Sequence, residues 1–112
     1  MAEISPSQIR YVWVTFDSTG TITGHINGSN VFKNGIGDYT VTFHGVMPSQ
    51  YYGAFITPVD NTSSAFNLKI IEQTASTVRF VSRGGSVDIL GINVPPITAI
   101  DANIGYNFYA CA

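Results

Sequence analysis

The chain has 112 residues, a formal net charge of −2 and charged side chains at only 11% of its positions, against roughly 25% in an average soluble domain. That length predicts one domain with one hydrophobic core, for which a 45% share of hydrophobic residues provides enough apolar material. Because the five Lys and Arg residues are scattered and no apolar run approaches the length of about 18 residues that a membrane helix needs, the sequence excludes nucleic-acid binding and membrane spanning.

The beginning of the chain predicts a short arm and then a strand. Residues 1–8 are interrupted by Pro6 and are assigned to an N-terminal arm, and residues 9–112 to a single β-sandwich domain without an internal linker. Residues 9–16 are rich in β-branched and aromatic side chains, which favours a strand. Since both faces of this strand are apolar, it is either central in a sandwich or lies at an interface.

Turn residues divide the segment that follows. Residues 17–20, Asp-Ser-Thr-Gly, predict a turn. Residues 21–32 are extended but contain Gly24 and Asn27-Gly28, which indicate a bulge or a second turn.

The clearest pattern in the chain covers residues 34–48. Asn34-Gly35 and Gly37 supply the backbone conformations of a tight turn. The strand predicted at residues 38–44 then alternates, with apolar side chains on one face and polar side chains on the other: Tyr39, Val41 and Phe43 against Thr40, Thr42 and His44. The apolar face must be covered by a second layer, and Met47-Pro48 ends the strand.

The second half of the chain predicts further short strands. They are placed at residues 51–57, at residues 66–73 and 77–82 as a hairpin, and at residues 104–110, where Ile104, Tyr106 and Phe108 share a face. Residues 86–103 are interpreted as a short strand and a long loop. The total of about eight short strands, with turn signals roughly every 8 to 12 residues, predicts an all-β fold, an antiparallel β-sandwich or jelly-roll-like domain.

The sequence contains no motif typical of catalysis, a metal site or a cofactor. His25 and His44 have no second ligand at metal-binding spacing. Asp17, Ser18 and His25 include the residue types of a hydrolase triad, but their order and setting fit no nucleophile elbow. The acidic residues are dispersed, so a glycosidase pair would require the strand topology to bring two of them together. The single cysteine, Cys111, is expected to be a small apolar residue that ends a strand, with an intermolecular disulfide or a reactive thiol as the alternative.

Several short motifs occur in an order that resembles a known module. They are Trp13-Val14-Thr15-Phe16, Gly20-Thr21, Asn30-Val31, the segment 34–43, Met47-Pro48 and the tyrosines at 51 and 52. Together, over residues 10–55, they resemble a β-rich module common in tailed bacteriophages and prophages, whose members most often lie at the C-terminal tip of tail fibres. The resemblance implies a β-domain at a virion surface.

This chain departs from the fibre arrangement, since it starts at Met1 and carries no stalk repeats or tail-attachment segment. The expected function is therefore that of a capsid decoration (cement) protein, made in the host bacterial cytoplasm without a signal peptide. Its expected partners are the major capsid protein and copies of itself, as a dimer or trimer. The alternative is a tail-fibre module that recognises a receptor or host surface glycan.

The residues of the partner surface are predicted from apolar side chains that could be exposed or could pack on a neighbour. Adjacent tyrosines in a strand point to opposite faces, so one of Tyr51 and Tyr52 should be buried and the other exposed; the alternative is that both are buried. The prolines of the 94–97 segment pre-order a loop that could pack on a neighbour or cross over the core. The interface candidates are Ile4, Ile9, Trp13, Tyr51, Tyr52, Val94, Pro95, Pro96 and Ile97.

Overall fold

A computed structural model describes residues 8–61, 66–84, 87–89, 92–94 and 98–112 of the chain. These residues form eleven strands and no helix. The strands are β1 (Tyr11–Asp17), β2 (Ile22–Ile26), β3 (Gly28–Gly35), β4 (Asp38–Phe43), β5 (Gly53–Val59), β6 (Phe66–Gln73), β7 (Thr77–Gly84), β8 (Val87–Ile89), β9 (Ile92–Val94), β10 (Thr98–Ala99) and β11 (Gly105–Cys111). Within the described ranges, no helix is long and apolar enough to cross a membrane.

The eight longer strands form two antiparallel sheets, which confirms the predicted all-β sandwich. Sheet I has the strand order β2-β1-β11-β5. Sheet II has the order β3-β4-β7-β6, and the two residues of β10 extend it beside the end of β7. Strands β8 and β9 pair with each other and add to neither sheet.

The core lies between the inner faces of the two sheets. Four rings fill one end of it, with centroids 5.0 to 6.2 Å apart: Phe16, Tyr39, Phe80 and Tyr106. The predicted alternation in β4 is confirmed, because Tyr39, Val41 and Phe43 are buried and their threonine neighbours face outward. Packing of such rings in offset and tilted pairs accounts for much of the stability of a core of this size.

The predicted break at Asn27-Gly28 is confirmed as a corner between the sheets. Asn27 has a positive φ of 60°, and the chain passes there from β2 in sheet I to β3 in sheet II. Asn tolerates this left-handed conformation better than most residues. The chain therefore crosses from one sheet to the other along this side of the sandwich.

Several predicted boundaries differ from the structure. The strand expected at residues 51–57 starts at Gly53, and the carbonyl groups of residues 50 and 52 accept hydrogen bonds from the Gln73 side-chain amide. Ile104 lies before β11 and is exposed instead of sharing a face with Tyr106. Where one short strand and a long loop were expected at residues 86–103, the structure has three short strands, β8, β9 and β10.

A carboxylate ties the two sheets together at the end of the sandwich near Ser18. Asp101 Oδ1 accepts hydrogen bonds from the Gly37 N–H at 2.7 Å and from the Tyr39 hydroxyl at 2.7 Å, and Oδ2 accepts one from Lys33 Nζ at 2.6 Å. Lys33 Nζ also donates to the Ser18 carbonyl at 2.9 Å. We call Asp101, Lys33, Gly37 and Tyr39 the Asp101 cluster; it joins β3 and β4 of sheet II to the segments that flank β1 and β11.

Electrostatics in the Asp101 cluster favour the ionised carboxylate. Burial alone would raise the pKa of Asp101, but the hydrogen bonds from Lys33, Tyr39 and the Gly37 N–H offset it, so the pKa lies below its ordinary value of 3.8. Burial, and next the hydrogen bond to Asp101, raises the pKa of Tyr39, which therefore keeps its proton as a donor. Near neutral pH, Asp101 is therefore ionised and Tyr39 is neutral.

Gly37 is required by the backbone of this cluster. Its φ is +64°, in the left-handed region. A Cβ at this position would overlap the Ser82 carbonyl oxygen and lie 2.8 Å from the Ile100 carbonyl oxygen. The glycine that the turn signal predicted therefore also permits close packing of three backbone segments.

We expect the substitution Ser82→Ala to leave the free energy of unfolding unchanged or to raise it by up to about 1 kcal/mol. Ser82 is fully buried on the inner face of β7, and its Oγ has no hydrogen-bond partner among the described residues. Removing an unsatisfied hydroxyl removes its desolvation cost. Urea denaturation measures the change, and a clear loss of stability would show that the hydroxyl has a partner.

Candidate functional site: the outer face of sheet I

The outer face of sheet I carries one large apolar side chain from each of its four strands. In the register of the sheet, Trp13 lies opposite Ile26 on one side and Tyr109 on the other, and Tyr109 lies opposite Phe55. We call Ile26, Trp13, Tyr109 and Phe55 the apolar row. Their exposed fractions run from 38% for Trp13 to 63% for Phe55, so an apolar band crosses the whole width of the sheet in contact with solvent.

Two glycines give the rings of the row room to lie along the sheet. A Cβ at Gly24 would lie 3.3 Å from the Trp13 indole ring, and a Cβ at Gly53 would lie 3.3 Å from the Phe55 ring. Side chains at these two positions would push the rings away. The rings of Trp13 and Phe55 therefore lie close over the backbone of these two glycines.

A polar row runs beside the apolar row, two residues further along the strands. It consists of Thr15, Asn107 and Thr57, which are aligned with one another across β1, β11 and β5. The Thr15 hydroxyl is 2.8 Å from the Thr23 hydroxyl. A shallow depression of about 210 Å³ lies at this end of the face, and Thr15, Thr23 and Asn107 contribute to its lining.

The outer face of sheet I is almost free of charge. Among the described residues of its four strands, the only charged side chain on this face is Asp17 at the end of β1, whose Oδ1 accepts hydrogen bonds from the N–H groups of Thr19 and Thr21 at 2.9 and 3.0 Å. The hydrogen bond from the Thr19 hydroxyl, and next that from the Thr21 N–H, keeps the pKa of Asp17 below its ordinary value. Binding a neutral surface here would thus desolvate hardly any charge.

Sheet II presents a different outer face. Arg79 donates to both carboxylate oxygens of Asp38, from Nε at 3.0 Å and from Nη2 at 2.7 Å. The Arg79 hydrogen bond holds the pKa of Asp38 below its ordinary value, although burial acts in the opposite direction. Lys69 and Arg83 are exposed on the same face. The contrast identifies sheet II as the solvated side of the sandwich and sheet I as the candidate contact side.

Cys111 lies at the edge of the contact side. It ends β11, as expected, and its side chain is exposed. It is aligned with Tyr11 on one neighbouring strand and Gly53 on the other. The neighbouring Cys111 thiol raises the pKa of Tyr109.

The structure separates the residues that the sequence proposed for an interface. Trp13 lies in the apolar row. Ile9 is half-buried against the core, and its N–H donates to the Val46 carbonyl at 2.9 Å. Val94 ends β9, while Ile4, Pro95, Pro96 and Ile97 lie outside the described residues.

The prediction that Tyr51 and Tyr52 differ in exposure is confirmed. Tyr51 is 86% exposed, whereas Tyr52 is only 9% exposed and packs against Phe43. The Tyr52 hydroxyl donates to the Thr74 carbonyl at 2.6 Å, and burial raises its pKa to about 12. Tyr52 is therefore a core residue, and of the pair only Tyr51 is available to a partner.

Three members of the apolar row were not singled out by the sequence: Ile26, Phe55 and Tyr109. The signal for Tyr109 was present, since it is an aromatic residue on the face of residues 106–110 opposite to Tyr106 and Phe108. The signal for Phe55 was the apolar run of β5, which has a single proline near its end. Only the strand order brings these residues into one line.

The described residues offer little for catalysis or metal binding. No group of three or more His, Cys, Asp or Glu side chains among them could hold a metal ion. The Asp101 cluster combines lysine, tyrosine and carboxylate groups, but the Tyr39 side chain is fully buried, which fits a structural role. Comparisons of the chain with protein-family models, curated proteins and solved structures found no match.

Proposed function

We propose that this protein is a structural virion protein of a tailed bacteriophage, a capsid decoration protein that binds the major capsid protein and stabilises the head shell. The proposal combines the resemblance of residues 10–55 to phage β-modules with one structural observation. That observation is the uncharged apolar row that crosses all four strands of sheet I. An exposed apolar patch bordered by polar residues is typical of a protein interaction site.

The physics of the face fits adhesion without a chemical step. Each half-exposed side chain of the row contributes on the order of 1 kcal/mol when a partner covers it. Trp and Tyr are the residues that most often dominate binding energy at interfaces. The affinity of one copy can be modest, because many copies bound to one particle reinforce one another through avidity.

Heads stripped of this protein provide the direct test. Purified protein added back should rebind, and the complete particles should resist heating better than the stripped ones. Differential scanning calorimetry of the heads measures the gain. If stripped and complete heads open at the same temperature, the stabilising role is wrong.

A receptor-binding or glycan-binding module of a tail fibre is the second candidate. The polar row of Thr15, Asn107 and Thr57 beside the apolar row favours it, because rings can stack on a sugar while hydroxyl and amide groups bind its hydroxyls. A glycan array separates the two candidates. Reproducible binding to one glycan class, with no binding to stripped heads, would support the fibre module and exclude the decoration protein.

A further inference from the structure

The four edge strands of the two main sheets are protected to very different degrees. An edge strand exposes unpaired backbone groups, and proteins usually shield it with bulges, charges or short length. Strand β2 has five residues and an irregular register, β3 has two register irregularities, and β6 has one together with the charges of Lys69 and Glu72. Strand β5 lacks all of these features.

Strand β5 is regular and uncharged. Its sequence is Gly-Ala-Phe-Ile-Thr-Pro-Val, and it pairs with β11 over all seven residues without a shift. No other described strand pairs with its second edge. Its single protective residue is Pro58, near the end of the strand, which leaves residues 53–57 open.

The ladder determines which backbone groups of β5 point outward. The Ala112 N–H donates to the Arg10 carbonyl at 2.8 Å, so the even-numbered residues of β11 face β1 and the odd-numbered ones face β5. Residues 53, 55, 57 and 59 of β5 therefore bond to β11. The N–H and C=O groups of Ala54 and Ile56 point to the open edge, together with Pro58, which has no N–H to leave unsatisfied.

We infer that β5 pairs with β5 of a second copy of this chain, in an antiparallel two-fold arrangement centred on Phe55. In this register Ala54 faces Ile56 of the other copy on both sides of the axis, which allows four backbone hydrogen bonds without using Pro58. The two Phe55 residues face each other as a non-hydrogen-bonded pair, the arrangement that brings side chains closest. The strand edge is thus complementary to itself.

Two consequences of this pairing support a second copy of the chain as the partner of strand β5. Sheet I would continue across the dimer, so the apolar rows of both copies would join into one band through the two Phe55 rings. On the inner side, Ala54 and Ile56 of the second copy would fall beside the groove of about 380 Å³ between β5 and β6, which Leu68 and Ile70 also line. No charge on β5 opposes the approach of an identical strand.

Sedimentation equilibrium of the isolated protein tests the dimer. At about 100 µM, a concentration that populates complexes of micromolar affinity, we expect a mass near twice the 12.1 kDa of the chain. Phe55→Lys should raise the dissociation constant roughly tenfold or more, because two like charges would face each other at the axis. Phe32→Lys is the matched control, since Phe32 is 64% exposed and Phe55 63%, and Phe32 lies on the outer face of sheet II.

Cross-linking tests the register. In a Cys111→Ser background, Phe55→Cys should give a covalent dimer on oxidation, because opposed residues of a non-hydrogen-bonded pair have Cα atoms about 4.5 Å apart, within the disulfide range. Thr57→Cys should not, since the two copies of residue 57 would be about 13 Å apart. A monomeric wild-type protein, equal effects of Phe55→Lys and Phe32→Lys, or cross-linking at residue 57 instead of residue 55 would overturn the inference. These experiments need no phage particle, so they fail or succeed independently of the proposed function.

Discussion

Replacing Asp101 with alanine is expected to lower the free energy of unfolding by about 3 kcal/mol, because hydrogen bonds to a charged group contribute about 1.5 to 3 kcal/mol each and the partners are left unsatisfied. The Gly37 N–H and the Lys33 ammonium would both lose an acceptor within 2.7 Å. For a domain of this size the change corresponds to a fall in Tm of about 10 to 15 °C. Calorimetry at pH 7 measures it.

The same carboxylate makes stability depend on pH in a defined direction. The pKa of Asp101 is lowered in the folded protein from an ordinary value of 3.8, so the unfolded chain binds its proton first as the pH falls. Its contribution is complete above the unfolded pKa and is lost as the pH falls through the folded pKa. The difference in stability between wild type and Asp101→Asn should therefore narrow between pH 6 and about pH 3.

Asp38→Ala is the matched control for the Asp101 substitution. The pKa of Asp38 is also lowered, mainly by its hydrogen bond from Arg79, but the Arg79 side chain is 40% exposed on the solvated face. Ion pairs of this kind contribute about 0 to 1 kcal/mol. A loss on Asp38→Ala as large as that on Asp101→Ala would contradict the assignment of a special role to the Asp101 cluster.

The local elements of this fold follow from short-range patterns. The alternation of Tyr39, Val41 and Phe43 sets the buried face of β4, and Asn27-Gly28 marks the corner between the sheets. These signals act between residues that are close in sequence, through side-chain periodicity and backbone conformation. They were sufficient to predict an all-β sandwich of about eight strands.

The Asp101 cluster and the apolar row both depend on residues that are distant from one another in the sequence. Lys33 and Asp101 are 68 positions apart, and the apolar row exists only because β11 lies between β1 and β5. Neither composition nor periodicity states which strands are neighbours. The two apolar faces of β1 did indicate an interface or a central position, and the structure shows that β1 is central and that Trp13 is exposed on its outer face.

The double substitution Trp13→Ala and Tyr109→Ala is expected to weaken binding to stripped heads at least 100-fold. Truncation of a central aromatic residue at an interface costs about 2 kcal/mol or more, and every 1.4 kcal/mol is a factor of ten in affinity. Both side chains lie in the middle of the apolar row, where a partner would cover them most completely. Their partial exposure means that the fold should survive with its thermal unfolding changed by only a few degrees.

Phe32→Ala is the control that distinguishes a loss of contacts on the outer face of sheet I from a general loss of exposed apolar surface. Phe32 is as exposed as Phe55 but lies on the outer face of sheet II, aligned with Thr40 and, through it, with Arg79. Its truncation should leave the amount of protein bound per head unchanged in a co-sedimentation titration. Undiminished binding by the Trp13 and Tyr109 double variant, or equal loss by Phe32→Ala, would show that heads are not bound through sheet I. Because the proposed capsid contact through this face would depend on desolvation of apolar side chains and not on ion pairing, raising the salt concentration should leave wild-type binding intact.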